Sequence, residues 1–407
     1  MNRWLFLLLR LGRRMWVRSA AYALFSVTVA MAAVLAAPWV PQSIADRFGG
    51  ESVEPVLTIL ASSMLAVTTF SLGAIVTAYT AVAQAATPRV SELVIEDDTT
   101  QKALSTFVGA FLYAMVGVTA IHANYYGPQG RAVIFAFSLG IVALVAFRLL
   151  SWVSRLSNLA RTEHMIELVE TRTLQPLRRR RDFPVFGGKA GALPSGHDIA
   201  SPQTGYVQNV DLDRLEKTAG KANALVQIIS GPGAFVRCGE ALARLSVKPD
   251  DEQVDELCRA FTVDVARSFE QDVRFGLAVL GEIAGKALSP GVNDPGTALR
   301  VATTGVRLLD EWSRPDGGDE VSRPHILAAP LQTADLFDDV LGPVMRYGAG
   351  DAIVAVRLQK LLGALAERPG EVGDAARAMA AEAFERSRSA LASPFDVQRL
   401  EAARAIR

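Results

Sequence analysis

The first 160 residues contain four runs without a charged side chain, at 19–45, 55–88, 103–130 and 132–147. A helix of about 20 apolar residues crosses the core of a bilayer, because it satisfies its own backbone hydrogen bonds. The first three runs therefore predict transmembrane helices. The fourth run stops at Arg148. It forms a transmembrane helix only if the Arg148 side chain reaches the lipid headgroups beside Trp152. The alternative is a helix that lies in the membrane interface. We predict four spans, because the arginine-rich remainder otherwise falls on the side that the charge bias disfavours.

Basic residues flank these runs unevenly. Five arginines precede the first run and the tetrad Arg178–Arg181 follows the fourth, whereas the two outer loops hold only Arg47 and Arg131 as basic residues. The positive-inside rule therefore predicts that both termini are cytoplasmic. We interpret residues 1–18 as a basic interfacial helix that contacts lipid headgroups. A cleavable signal peptide is the competing interpretation, but the first run is too long for one.

The second run has a continuous face of small and hydroxylic side chains that recur every three or four residues. Its members are Thr58, Ser62, Ala66, Thr69, Gly73, Thr77, Thr80, Gln84 and Thr87. Such a face packs closely against a neighbouring helix, or it lines a water-filled path when several copies surround an axis. For the second case we predict as pore-lining residues Ser62, Thr69, Gly73, Thr77, Thr80 and Gln84. No carboxylate or lysine interrupts the four runs, which argues against an ion-coupled transporter.

The chain beyond the runs is richer in charge and is predicted to be cytoplasmic. Residues 161–204 predict a charged helix and a linker rich in Gly, Pro and Ser. Residues 205–248 predict a small β-barrel or sandwich-like unit, and residues 249–407 a helical domain. The predicted fold is therefore a membrane α-helical bundle of four transmembrane helices at 19–160, followed by a cytoplasmic α+β region.

Local patterns predict individual elements in this region. The segments 205–210, 224–229 and 241–245 predict strands, and Asp211 is expected to cap a helix that runs to residue 221. Beyond residue 250 the apolar positions have helical spacing. The first such set is Leu257, Phe261, Val265 and Phe269.

Composition narrows the class of protein. Half of the residues are hydrophobic, mean hydropathy is +0.23, and 42 basic side chains balance 42 acidic ones. This balance excludes a disordered chain and argues against a nucleic-acid partner. The two cysteines, Cys238 and Cys258, exclude a disulfide-stapled scaffold. The predicted partners are membrane lipids and further copies of the chain.

One polar cluster has residues suited to binding a ligand. Its members are Arg267, Glu270, Asp272, Asn293 and Asp294. Acidic groups beside a Gly-rich turn can bind a cation, although the spacing matches no calcium loop. The structural alternative is that Asn293 or Asp294 caps a helix that begins at Pro295. Nucleotide-binding loops, metal-ligand spacings and nucleophile motifs are absent, so we predict no cofactor, no metal and no enzymatic activity.

Several short motifs resemble those of the DUF2254 family of bacterial predicted membrane proteins. They are Thr87-Pro-Arg89, Gly205-Tyr-Val207, Gly233-Ala-Phe-Val236, Phe269-Glu-Gln-Asp272 and Leu288-Ser-Pro-Gly-Val-Asn-Asp-Pro295. The last of these is the most specific. The resemblance covers most of the chain from the second run to about residue 300. It implies the membrane topology and a bacterial inner-membrane location, and it implies no reaction.

Two functional hypotheses follow from these patterns. The first is an oligomeric inner-membrane protein whose second helix faces a central axis and conducts ions or small solutes. The second is a membrane-anchored scaffold or sensor that passes a signal through the helix at 161–170, with the small-residue face used only for packing. An enzyme that uses the polar cluster is a third class, and it requires the five residues of that cluster to lie together.

Overall fold

The computed structural model describes residues 15–50, 52–85, 87–90, 98–159, 161–314 and 321–405. These residues form two compact units, which we describe separately: an N-terminal unit that ends at Arg161 and a C-terminal unit that begins at Thr162. The predicted interfacial helix at 1–18 lies almost entirely outside the described residues.

The N-terminal unit is helical. Its helices are α1 (Met15–Ala36), α2 (Gln42–Phe48), α3 (Val53–Ala85), α4 (Asp98–His122) and α5 (Pro128–Leu159). Within the described residues, three segments are long and apolar enough to cross a membrane: Val53–Thr80, Thr100–His122 and Pro128–Ser154. The second, third and fourth runs therefore form helices of membrane-spanning length.

The first run, 19–45, does not form one continuous helix. α1 ends at Ala36, and the short 3₁₀ turn Ala37–Trp39 separates it from α2. Two prolines, Pro38 and Pro41, explain the break, because proline lacks a backbone donor and disfavours helical geometry in the residue before it. A membrane crossing by α1 stays a prediction.

The fourth run continues further than its uncharged residues indicated. α5 passes through Arg148 without interruption and has 32 residues. Trp152 is buried and meets the ring of Phe107 edge-on at 6.5 Å. The face of α5 that packs against α4 includes this indole, and its position at the headgroups stays a prediction.

α4 is the central helix of this unit and packs against α1, α3 and α5. The Tyr113 hydroxyl on α4 donates to the Ile134 carbonyl on α5 at 3.0 Å and lies 3.2 Å from the Ser138 hydroxyl. Gly109 lets α1 approach closely, since a Cβ there would meet the Cβ of Tyr22 at 2.6 Å. Small residues and interhelical hydrogen bonds of this kind hold membrane helices together.

The C-terminal unit combines helices with two sheets. The described helices are α6 (Thr162–Asp182), α7 (Leu212–Lys221), α8 (Asp251–Arg259), α9 (Val273–Ala287), α10 (Pro295–Trp312), α11 (Thr333–Tyr347), α12 (Ala352–Ala366), α13 (Glu371–Ala390) and α14 (Pro394–Ala405). The strands are β1 (Lys189–Ala190), β2 (His197–Ala200), β3 (Gly205–Val210), β4 (Val226–Ile228), β5 (Phe235–Val236), β6 (Ala241–Leu245), β7 (Phe261–Asp264) and β8 (Ile326–Ala328).

The two sheets share one hydrophobic core. The larger has the order β1-β8-β4-β6-β2, with β8 parallel to both of its neighbours, and the smaller is the antiparallel sheet β5-β3-β7. Val207 of the smaller sheet and Leu242 of the larger one are both fully buried in this core. The strands predicted at 205–210, 224–229 and 241–245 are confirmed, and the Asp211 carboxylate caps α7 by accepting from the Arg214 amide at 3.2 Å.

Four of the described strands lie outside the predicted β-rich range of 205–248. β1 and β2 occupy the predicted linker, and β7 and β8 occupy the predicted helical domain. The prediction of a helix over 257–269 is wrong beyond Arg259. Phe261 and Val263 are buried and alternate with partly exposed neighbours, and Val265, which a helix would have placed on the buried face, is 84% exposed. A period of two indicates a strand. Antiparallel pairing with β3 stabilises this segment as the strand β7.

The helix α6, which follows α5 in the chain, belongs to the core of the C-terminal unit. Met165, Ile166 and Val169 on α6 are fully buried, and the helix packs against α9 and α10. Two ion pairs, Arg300 with Glu167 at 3.3 Å and Arg307 with Glu170 at 2.7 Å, join it to α10. α6 is therefore fixed to the unit along its length.

Candidate functional site

The small-residue face of α3 is exposed in the described part of its unit. Ser62, Thr69, Gly73, Thr77 and Thr80 are all exposed. The side chain of Gln84 lies outside the described residues. Buried positions lie on the opposite face of the helix, and they include Leu57, Leu60, Met64, Ser71 and Ile75. The structure therefore brings the five described residues together on one open surface, as their spacing predicted.

The hydroxyl groups on this face are already hydrogen-bonded within the helix. The Ser62 hydroxyl donates to the carbonyl of Thr58 at 3.0 Å, and those of Thr69, Thr77 and Thr80 each donate to the carbonyl four residues earlier at 2.9 to 3.0 Å. Each oxygen keeps lone pairs that can accept a further hydrogen bond. The face can therefore meet protein or water without leaving a donor unsatisfied.

Large apolar side chains border this face on both sides. At about 100° per residue, Ile59 and Phe70 lie roughly 60–80° to one side of Ser62, and Leu65 and Leu72 lie equally far to the other. Their exposed fractions range from 45% for Leu72 to 70% for Phe70. The open surface of α3 is therefore a narrow polar stripe between two apolar edges, which we call the α3 stripe.

The polar cluster begins with an ion pair at the start of α9. The Arg267 guanidinium contacts both carboxylate oxygens of Asp272, at 2.7 and 3.0 Å. Asp272 is 3% exposed, and its carboxylate also caps α9 by accepting from the Phe275 amide at 3.1 Å. Burial raises the pKa of the Asp272 carboxyl, and the bonds from Arg267 oppose that rise. This pair is a structural cap.

The other half of the cluster lies beyond the far end of the same helix. The Asp294 carboxylate caps α10 by accepting from the Thr297 amide at 3.0 Å, with Pro295 in the first turn, and Asn293 adopts a left-handed backbone with φ of 49°. The capping role expected of Asp294 is confirmed. α9 has 15 residues and so is about 22 Å long. The idea of one site formed by all five residues is therefore wrong.

Glu270, the fifth member, lines a cavity that the sequence did not indicate. The cavity has a volume of about 280 Å³. Its basic side chains are Arg179, Arg180 and Arg323. Two of these belong to the tetrad Arg178–Arg181, whose charge predicted only the membrane topology. The sequence shows the run of arginines, but the other residues that line the cavity come from distant parts of the chain.

A second cavity, of about 650 Å³, lies between α6, α10 and α12. Its charged groups pair with one another. Arg178 and Arg314 bind Glu311 at 2.7 and 2.8 Å, and Arg368 binds Asp310. The bonds from Arg178 lower the pKa of the Glu311 carboxyl. This cavity is therefore electrostatically balanced by its own walls.

Comparison with known proteins agrees with the membrane helices. The family model described as a predicted membrane protein of the DUF2254 family matches residues 12–364. Uncharacterized proteins of Mycobacterium bovis and Mycobacterium tuberculosis are 25% identical over 308 residues, which cover 69% of this chain and 57% of each relative. The chain thus spans little more than half the length of these curated relatives. No solved structure is significantly similar. The chain belongs to the DUF2254 family of predicted membrane proteins.

Proposed function

We propose that this protein is a multi-pass protein of the bacterial inner membrane that forms homo-oligomers through α3. Both termini face the cytoplasm, and the α3 stripe surrounds a shared axis that conducts ions or small solutes. The function is non-enzymatic. The observation that carries the proposal is that the described residues of its unit leave the α3 stripe exposed, although its small side chains and internally bonded hydroxyls suit close contact with protein or water.

The borders of the stripe support this arrangement. Exposed large side chains such as Ile59 and Phe70 provide apolar surface on which a neighbouring copy can pack. In a ring of copies, the apolar edges then meet each other and the stripe between them faces the axis. Hydroxyl oxygens along such an axis replace part of the hydration of a passing solute.

We expect Gly73→Leu to dissociate the oligomer. A Cβ at Gly73 meets no atom within 4 Å, so the fold of the protomer accommodates the new side chain. In the proposed ring the added side chains of all copies meet at the axis, and overpacking there costs each copy about 1–3 kcal/mol. The measurement is the mass of the detergent-solubilised full chain by light scattering, corrected for detergent.

Gly140→Leu is the matched control, because a Cβ at Gly140 on α5 also meets no atom within 4 Å. It should keep the mass of the unmodified protein. A monomeric unmodified protein, or an oligomer that survives Gly73→Leu unchanged, contradicts assembly through α3.

Water along the α3 stripe is tested separately by cysteine labelling in vesicles. The background carries Cys238→Ser and Cys258→Ser, since these are the two native thiols. A membrane-impermeant maleimide should label single cysteines on the stripe and spare a cysteine at buried Leu60. The substitutions on the stripe are Ser62→Cys, Thr69→Cys, Gly73→Cys, Thr77→Cys and Thr80→Cys. Uniform protection of these positions would exclude a water-filled path and leave the oligomer intact.

A membrane-anchored scaffold or sensor is the second candidate, and the position of α6 favours it. This helix follows α5 in the chain, and it is buried in the C-terminal unit through Met165 and Ile166. Its ion pairs with α10 join it firmly to that unit. A movement of α6 would therefore be transmitted to the C-terminal unit as a whole. Uniform protection of the α3 stripe would make this the better proposal.

A further inference from the structure

The cavity of about 280 Å³ in the C-terminal unit has basic and apolar walls. Arg179, Arg180 and Arg323 provide three cations, whereas Glu270 is the one carboxylate among the described lining residues. The apolar wall is formed by Phe183, Phe186 and Leu212. All of these residues belong to the C-terminal unit. The lining thus has an excess of positive charge beside an apolar surface.

Arg180 lines this cavity and has one polar group without a described partner. Its Nη2 donates to the carbonyl of Ala329 at 3.3 Å, and its guanidinium carbon lies 3.7 Å from the centroid of the Phe186 ring. Its Nη1 is buried and has no hydrogen-bond partner among the described residues. A guanidinium nitrogen of this kind has two N–H donors, and leaving buried donors unpaired is unfavourable.

Neighbouring arginines show that partners are available in this region. Arg178 and Arg181, three residues apart on α6, both bind the Glu311 carboxylate, at 2.7 and 3.0 Å. Arg180 points to another side of the helix and has no carboxylate partner among the described residues. Burial lowers the pKa of Arg180 to about 10, so the side chain is still a cation at neutral pH. Within the part of the chain that the structure describes, this buried charge therefore has no carboxylate counterion.

Arg323, which also lines the cavity, is held by two hydrogen bonds. Its Nη2 donates to the Asp213 carboxylate at 2.8 Å, and its Nη1 donates to the Phe186 carbonyl at 3.0 Å. Gly187, which follows Phe186 in the chain, has a φ of +79°, a backbone conformation that favours glycine. The cavity wall is therefore held by defined contacts, while the described residues offer no acceptor to the Nη1 donors of Arg180.

We propose that this cavity binds the phosphate group of a small molecule that also carries an apolar or aromatic part. The phosphate oxygens accept from the Nη1 group of Arg180, and Arg179 and Arg323 supply additional positive charge. Guanidinium groups suit phosphate because their planar donors match its oxygens. The apolar part lies against Phe183 and Leu212. A volume of about 280 Å³ holds a phosphate and a group the size of one ring, since a water molecule occupies roughly 30 Å³.

This inference is independent of assembly through α3, because the cavity and the α3 stripe belong to different units. The test measures binding to the full chain in a nonionic detergent at constant ionic strength. The probes are inorganic phosphate and phenyl phosphate, with chloride as the reference anion. Both phosphates should raise the midpoint of thermal unfolding, because a ligand that binds the folded state stabilises it. Phenyl phosphate should bind more tightly, since its ring adds apolar contact.

Arg180→Gln should weaken phosphate binding about tenfold or more, because it removes a charge-assisted contact. Without phosphate, the midpoint of thermal unfolding of this variant should change little, because the lost contacts with Ala329 and Phe186 are offset by removal of a buried cation that has no carboxylate partner among the described residues. A purely structural role for Arg180 predicts a loss of stability instead. Arg178→Gln is the matched control, because Arg178 lies in the same tetrad but faces the other cavity. It should leave phosphate affinity unchanged.

Glu270→Gln provides a second variant at an exposed position, where misfolding is not expected. It removes the negative charge from the lining and should tighten phosphate binding about two- to fivefold. The proposal is overturned if Arg180→Gln and Glu270→Gln bind phosphate like the unmodified protein, or if phosphate does not stabilise the full chain at all. The phosphate group could belong to a lipid headgroup or to a soluble small molecule, and dioctanoyl phosphatidic acid distinguishes the two. Binding of this lipid in preference to phenyl phosphate identifies a lipid headgroup as the ligand.

Discussion

Asp272→Ala is expected to destabilise the C-terminal unit by about 3 kcal/mol or more. The substitution removes the bidentate partner of Arg267 and also the cap of α9. The carboxylate is 3% exposed, so water cannot readily replace its contacts. A Cβ at Gly233 would lie 2.6 Å from the Asp272 carboxyl carbon, which shows that the backbone packs directly on this group. Urea titration of the full chain in detergent, followed by pulse proteolysis, measures the change.

Asp294→Ala is the matched control for this prediction. Asp294 also caps a helix, but its carboxylate is exposed and bonds only within the first turn of α10. Its removal should cost about 1 kcal/mol, the usual contribution of a cap. Equal losses for the two variants would contradict a contribution from the buried ion pair. Asp272→Asn should retain the cap and lose the charge, and therefore give an intermediate result.

Gly276→Ala is expected to destabilise the same unit by about 2–3 kcal/mol, although alanine favours helices by about 1 kcal/mol over glycine. Gly276 lies where α9 crosses α6. A Cβ there would meet the Cβ and Cγ2 of Thr173 at 2.8 and 2.9 Å. Thr173 is 2% exposed, and its hydroxyl donates to the Val169 carbonyl at 2.7 Å, so it cannot turn away. The two helices must separate, which opens the packed core. The urea titration described for Asp272→Ala detects this loss.

Gly285→Ala, nine residues further along α9, tests the steric explanation. A Cβ at Gly285 meets Tyr347 at 3.4 Å, which is an ordinary contact. This variant should stabilise the unit by up to about 1 kcal/mol through helix propensity alone. Adding Thr173→Ala to Gly276→Ala should restore part of the lost stability, because the two side chains compete for the same space. Equal effects of Gly276→Ala and Gly285→Ala would exclude a clash at the helix crossing.

The sequence by itself determined the features that depend on local physics. Three of the four uncharged runs form helices of membrane-spanning length, because a helix in lipid must satisfy its own backbone hydrogen bonds and needs no distant partner. The caps at Asp211 and Asp294 were also predictable, since a cap is formed within one turn. The exposed α3 stripe follows the helical period of its residues.

Tertiary structure decided the features that depend on distant parts of the chain. Phe261 has helical spacing with Leu257, yet it joins a strand because β3 supplies the hydrogen-bonding partner. Asp272 and Asp294 are close in sequence, but α9 separates them by its full length of about 22 Å. The charge of the tetrad Arg178–Arg181 is evident from the sequence. Packing decides that Glu311 binds Arg178 and Arg181, and that Arg180 contacts Phe186 and Ala329 and has no carboxylate partner among the described residues. A side chain's partners are set by packing between elements, and local spacing does not contain that information.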